Sequence, residues 1–188
     1  MKKIVLNITA LVITLSIISC GKDKKEETKK TTPETEKTTT NTMVDLNQTD
    51  TKSDVVFTDV QIDKIYGQYL MIKKELVNSN AKLVQEEAKK LNTLLDDTEE
   101  KKQLKATTEL ISLTKEIKKQ RDFFVTLTEE TEKLISNADI TSGEVYKQFC
   151  PMAFEGNGGY WLSDSKEVRN PYYGDKMLKC GSVNETIK

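Results

Sequence analysis

The chain has 188 residues, 29 of them Lys or Arg and 30 Asp or Glu, for a formal net charge of −1, and it has no histidine. Without a basic excess it does not read as a nucleic-acid binder. Without imidazole it lacks the usual base for a nucleophilic Ser or Cys, and no carboxylate pair stands out from its charged segments, so the expectation is a non-enzymatic protein.

The first predicted element is an export signal. Met1-Lys2-Lys3 is a short cationic start, followed over residues 4–18 by an apolar stretch broken by Asn7, Thr9, Thr14 and Ser16. A spanning helix needs about 20 apolar residues, so residues 1–19 read as a signal peptide. The run Ile17-Ile18-Ser19-Cys20 fits bacterial lipoprotein processing, with Cys20 as the lipidated first residue of the mature chain. Each buried methylene contributes about 0.8 kcal/mol, so more than one acyl chain makes the anchoring stable. Loss of residues 1–19 removes Lys2 and Lys3 from the 29 basic residues, leaving 27 against 30 acidic and a net charge of −3. The membrane contact is therefore the lipid itself.

Residues 20–54 read as a disordered Lys/Glu/Thr tether, as in Lys22-Asp23-Lys24-Lys25-Glu26-Glu27, with almost nothing apolar to bury. A flexible chain of that length reaches on the order of 30 Å. Lysines dilute the acidic Asp23, Glu26 and Glu27, which favours a lipid-anchored, periplasm-facing place in the cell envelope over surface display.

Residues 55–142 read as a helical bundle. Between residues 58 and 137 there is no proline and one glycine, Gly67. Ile62, Ile65, Tyr66, Tyr69 and Leu76 recur at helical spacing, as do Ala81, Val84, Ala88, Leu91 and Leu95. A third run carries Leu104, Ile111, Leu113 and Ile117 and continues through Phe124, Leu127, Leu134 and Ile135. Thr58 with Gln61 and Asp97 with Glu100 match capping-box spacing, and Asn78-Ser79-Asn80 and Asp96-Asp97-Thr98 are the expected connections. Whether residues 115–137 prolong one helix or start another near Asp122 stays open, so the predicted fold class is all-α, an antiparallel bundle of three to four helices. The Lys and Glu residues along it are its solvated faces.

Residues 143–188 differ in composition, holding seven of the twelve aromatic residues and two of the three prolines. Asn157-Gly158 between Phe154 and Leu162 is a hairpin signal, and Asn170-Pro171 and Gly174 mark turns. The expectation is a small, turn-rich cap packed on the bundle as one domain.

That cap carries the candidate chemistry. Cys150 comes with Met152, and Cys180 with Met177. On an extended segment residues two apart share a face, and on a helical turn residues three apart do. A hairpin folded back would gather two thiolates and two thioethers, ligands that select Cu(I) or Ag(I). A Cys150–Cys180 disulfide is the alternative in an oxidising compartment, stabilising by roughly 3–4 kcal/mol; unpaired thiols are a third state. The absence of Cys-x-x-Cys argues against an oxidoreductase.

The runs Cys150-Pro151-Met152-Ala153, Tyr160-Trp161-Leu162-Ser163 and Asn170-Pro171-Tyr172-Tyr173-Gly174-Asp175-Lys176-Met177-Leu178-Lys179-Cys180-Gly181 resemble the C-terminal signature of domain-of-unknown-function family 3347. Tyr66-Gly67-Gln68-Tyr69-Leu70 and Gln120-Arg121-Asp122-Phe123-Phe124 resemble its helical part, so the resemblance spans residues 55–187. Members are small exported or lipid-anchored helical proteins, and related domains are attached to periplasmic adaptor subunits of copper and silver efflux pumps. The resemblance implies a link to heavy-metal handling, with an efflux adaptor as partner. Cys150, Met152, Met177 and Cys180 match as candidate ligands, and Asn170, Pro171 and Gly174 as turn residues. The expected function is a lipid-anchored envelope protein that buffers or transfers Cu(I) or Ag(I). The alternative is an interaction module, stapled by the disulfide, that presents Trp161, Tyr172 and Tyr173 to a protein partner.

Overall fold

A computed structural model describes residues 44–188. The signal peptide, Cys20 and the tether up to residue 43 lie outside the described residues. Four long helices follow one another: α1 (Val60–Val77), α2 (Ala81–Leu94), α3 (Glu99–Leu113) and α4 (Ile117–Ile135). Each packs on the next, and α4 returns to α1. The side chain of Asp59 caps α1 by accepting from Gln61 N–H at 2.7 Å, and Asn80 caps α2 through Leu83 N–H at 3.2 Å. Two cap positions thus fall one residue later than expected, at Asp59 and Thr98 in place of Thr58 and Asp97. The third helical run breaks at residues 114–116. Thr114 Oγ1 bonds back to Leu110 O at 2.7 Å, and Gln120 Nε2 bridges Thr114 O and Ala81 O, tying the start of α4 to α2. Helix four therefore starts at Ile117, not near Asp122.

A purely helical class is too narrow, because two small antiparallel sheets complete the fold. β1 (Val56–Phe57) pairs with β2 (Ile140–Ser142), clipping the entry of α1 to the exit of α4. β3 (Val145–Cys150), β4 (Gly159–Ser163) and β5 (Ser182–Ile187) form the second sheet in the order β4-β3-β5. The β3–β4 hairpin has an eight-residue connection, residues 151–158, with Asn157-Gly158 at its far end and not at the tip of a two-residue turn. Within it Phe154 (φ 51°) and Glu155 (φ 60°) are left-handed, a conformation that costs non-glycine residues of order 1–3 kcal/mol each. Phe154 is held there by its ring against Tyr172, with centroids 5.0 Å apart.

One row of rings joins the parts. Phe57, Tyr66, Tyr69, Phe124 and Tyr172 follow one another with centroids 5.2–6.3 Å apart, and Tyr172 meets Trp161 edge-on at 5.9 Å. Tyr69 and Trp161 are fully buried, so bundle and cap share one core. Tyr69 Oη also meets Thr128 Oγ1 at 2.9 Å and accepts from Leu162 N–H at 3.0 Å, tying α1, α4 and β4 together.

Residues 45–54, placed in the tether by composition, lie along the domain instead. Ser53 N–H donates to Asp164 O at 2.6 Å, and Arg169 donates to Gln48 O. The correction has a simple cause: polar side chains and backbone, not apolar burial, hold this segment.

Candidate functional site

Cys150 and Cys180 meet at the open end of the second sheet, and Met152 and Met177 reach Cys180 through their backbones. Cys150 is the last residue of β3 and is fully buried. β5 pairs with β3 in a register that sets Ser182 opposite Phe149, which brings residue 180 beside residue 150. The approach is made by β5, not by the β3–β4 hairpin that the sequence suggested. The two Sγ atoms stand 2.7 Å apart, and both cysteines are free. A disulfide measures about 2.05 Å, while two thiolates on one tetrahedral ion at about 2.3 Å each stand roughly 3.7 Å apart. The spacing lies between these limits, nearer the bridge.

Cys180 is pinned from three sides. Its sulfur meets the Met152 backbone N–H, its own N–H donates to Met177 O at 3.0 Å, and its carbonyl accepts from Asn170 Nδ2 at 2.8 Å. The neighbouring Cys150 thiol, and secondarily burial, hold the Cys180 thiol above its usual value. Both methionines thus touch Cys180 through their backbones. Their side chains differ from the expectation of one shared face. β3 ends at Cys150, and Met152 has helical dihedrals (φ −87°, ψ −9°), so it turns out of the strand and is 52 % exposed. Met177 closes a 3-10 turn, Gly174–Met177, and is half-buried. Among the described residues no cluster of three or more Cys, Asp or Glu is gathered for a metal ion, so a centre here needs thioethers.

Asn170 was read from sequence as a turn residue, yet it organises the corner. It is fully buried; besides the Cys180 carbonyl, its Oδ1 accepts from Tyr172 N–H at 2.8 Å and Tyr173 N–H at 3.2 Å. Arg121 braces the same turn from α4, donating to Pro171 O at 2.8 Å, Leu76 O at 3.0 Å and Ser79 Oγ at 2.9 Å. Gly174 has a left-handed φ of 61°, and a Cβ there would lie 2.6 Å from Ser79 Oγ and 2.8 Å from Val77 O, so both backbone and space call for glycine. A cleft of about 720 Å³ opens beside this turn, between α4 and the Phe154 loop, with Lys118, Lys176, Asp122 and Glu155 at its rim.

A second buried polar contact had no sequence signal beyond a lysine in an otherwise apolar face. Lys73, 1 % exposed, donates from Nζ to Ser163 Oγ at 3.1 Å, and burial lowers its ammonium to about 8.

Among the described residues no helix is long and apolar enough to cross a membrane. No curated protein and no solved structure matches the chain. Residues 65–143 match the family model described as protein of unknown function (DUF3347), a stretch that runs from α1 to the turn before β3 and stops short of the sulfur corner. Over residues 65–143 the chain is similar to the DUF3347 family, the one its helical motifs resemble.

Proposed function

We propose that this is a lipid-anchored, non-enzymatic protein of the cell envelope that holds a soft cation, Cu(I) or Ag(I), for buffering or transfer to an efflux adaptor. Cys150 and Cys180 supply thiolates, Met152 and Met177 supply thioethers, and Cys20 carries the anchor. The observation that supports this reading is the meeting of two cysteines thirty residues apart, with both methionines bonded to Cys180 through their backbones. Binding requires the two sulfurs to part by about 1 Å, a movement within reach of side-chain rotation. Sulfur ligands favour a soft monovalent ion over hard divalent ones. The test is titration of reduced mature protein with Cu(I) against a competing chelator. Retained copper, lost in a Cys150→Ser, Cys180→Ser double variant, supports the reading; equal affinity in both proteins removes it.

The 2.7 Å separation favours a second reading, a Cys150–Cys180 disulfide that staples the cap of an interaction module. Its mark is a mass two daltons below the reduced value in metal-free protein taken from the envelope.

A further inference from the structure

The segment of residues 45–53 is held in an unusual way. Four of its main-chain groups are hydrogen-bonded to the rest of the domain. Leu46 N–H donates to Asn78 Oδ1 at 2.8 Å, and Gln48 O accepts from Arg169 Nε at 3.0 Å and Nη2 at 2.8 Å. Asp50 N–H donates to Glu167 Oε1 at 2.8 Å, and Ser53 N–H to Asp164 O at 2.6 Å. Main-chain recognition of this kind accepts other sequences of like shape. The side-chain contribution at the front is acidic: Asp45 accepts from Asn78 Nδ2 at 2.9 Å and pairs with Lys74 at 3.2 Å.

The fit is incomplete. Asn47 is the segment's one buried side chain, 7 % exposed, and its Oδ1 has no partner among the described residues. An unsatisfied buried acceptor carries a desolvation cost that a better-matched side chain avoids. Clefts of about 270 Å³ and about 340 Å³ open at the two ends, beside Asp45 and Leu46 and beside Lys52 and Ser53. Few apolar contacts and many exposed hydrogen bonds mark a segment that opens well below the cost of global unfolding.

We propose that residues 45–53 are the displaceable cis occupant of a peptide-docking groove between the end of α1 and residues 164–169. The incoming partner is an extended protein segment with an acidic residue at the place of Asp45. Lys74 and Asn78 receive its acid, and Arg169 and Glu167 hold its backbone. This inference stands apart from metal binding, because the groove contains no sulfur.

The test uses the full mature chain and a fluorescein-labelled peptide of residues 44–54, read by anisotropy. Asp45→Lys in the chain weakens the cis segment and leaves the groove intact. The peptide is expected to bind that variant at least tenfold more tightly than the wild-type chain, where the cis segment competes. Adding Arg169→Ala to the variant is expected to weaken binding at least tenfold. No binding to the Asp45→Lys chain, or binding indifferent to Arg169→Ala, overturns the proposal. If Asp45→Lys does not fold, hydrogen exchange on the wild-type chain decides. Amides of Leu46, Asp50 and Ser53 exchanging at least tenfold faster than those of β3 support displacement, and equal protection overturns it.

Discussion

Replacing Lys73 with methionine is expected to stabilise the protein at neutral pH. Burial lowers the Lys73 ammonium from 10.5 to about 8, and Asp164, the charge nearest in effect, only partly opposes this. The difference corresponds to about 3 kcal/mol carried by the folded state whenever the amine is charged. Methionine keeps the unbranched stem and volume while removing the charge. It forfeits the bond to Ser163 Oγ, about 1 kcal/mol, but Ser163 Oγ still accepts from Ser165 N–H at 3.2 Å. The net gain at pH 7 is about 2 kcal/mol.

The pH dependence separates this cause from improved packing. Below pH 8 both folded and unfolded wild-type chains carry the proton, so the cost is constant. Between about 8 and 10.5 the unfolded chain binds more protons than the folded one, so wild-type stability rises with pH. By pH 10 the cost of Lys73 falls to about 1 kcal/mol, and the advantage of Lys73→Met all but vanishes. Buried Tyr66, Tyr69 and Tyr172 have raised values and act in the opposite sense at high pH, but equally in both proteins. Urea unfolding followed by circular dichroism at pH 7 and pH 10 gives both differences. A variant less stable at pH 7, or a gap unchanged between the two pH values, would refute the reasoning.

Three further outcomes are expected. Gly174→Ala should lower stability by at least about 2 kcal/mol in thermal unfolding, because the Cβ meets Val77 O and Ser79 Oγ and the positive φ disfavours any side chain. Glu155→Gly should raise it by about 1 kcal/mol, since an exposed glutamate sits at φ 60° where glycine is unstrained. Cu(I) affinity of the reduced protein should rise at least about tenfold per pH unit near neutrality, because the Cys180 thiol is held above its usual value and alone releases one proton on binding; a flat profile counts against thiolate ligation by Cys180.

The helices were legible because their apolar spacing coincides with what is buried: Ile65, Tyr69, Leu76, Val84, Leu91, Leu104 and Ile111 are all interior. The break before α4 was not legible, since neither glycine nor proline marks residues 114–116 and the decisive contact is Gln120 reaching α2. β5 escaped for a different reason. Its residues are almost all exposed, so Ser182–Ile187 has no buried face to print an alternating pattern. Residues 45–54 were misplaced because hydrogen bonds from Arg169, Asn78 and Glu144 do not show in composition. At the sulfur corner, the match between Cys150 and Cys180 was readable from their isolation in the C-terminal part. The outward turn of Met152 depends on where β3 stops, which the sequence does not mark.

Residues 164–170 link the docked segment to the sulfurs, and Asn170 is where that link is most exposed to test. Gln148, two residues before Cys150, donates to Ser165 O at 2.9 Å, while Asn170 at the far end holds the Cys180 carbonyl. Each cysteine is therefore positioned by one end of a single loop. Asn170→Ala strips Tyr172 N–H and Tyr173 N–H of their acceptor and frees that carbonyl. Tyr172 is buried, so its amide has little access to water, and a loss of about 3 kcal/mol is expected. Stability alone does not distinguish a general weakening from a local one. Alkylation by iodoacetamide under native conditions does: Cys180, half-buried, should react several-fold faster in the variant while buried Cys150 changes less. Equal acceleration at both sulfurs would mean that the variant opens globally and that Asn170 has no particular hold on Cys180. A change at Cys180 alone would place control of the sulfur pair in this loop, whose outer face residues 45–53 cover.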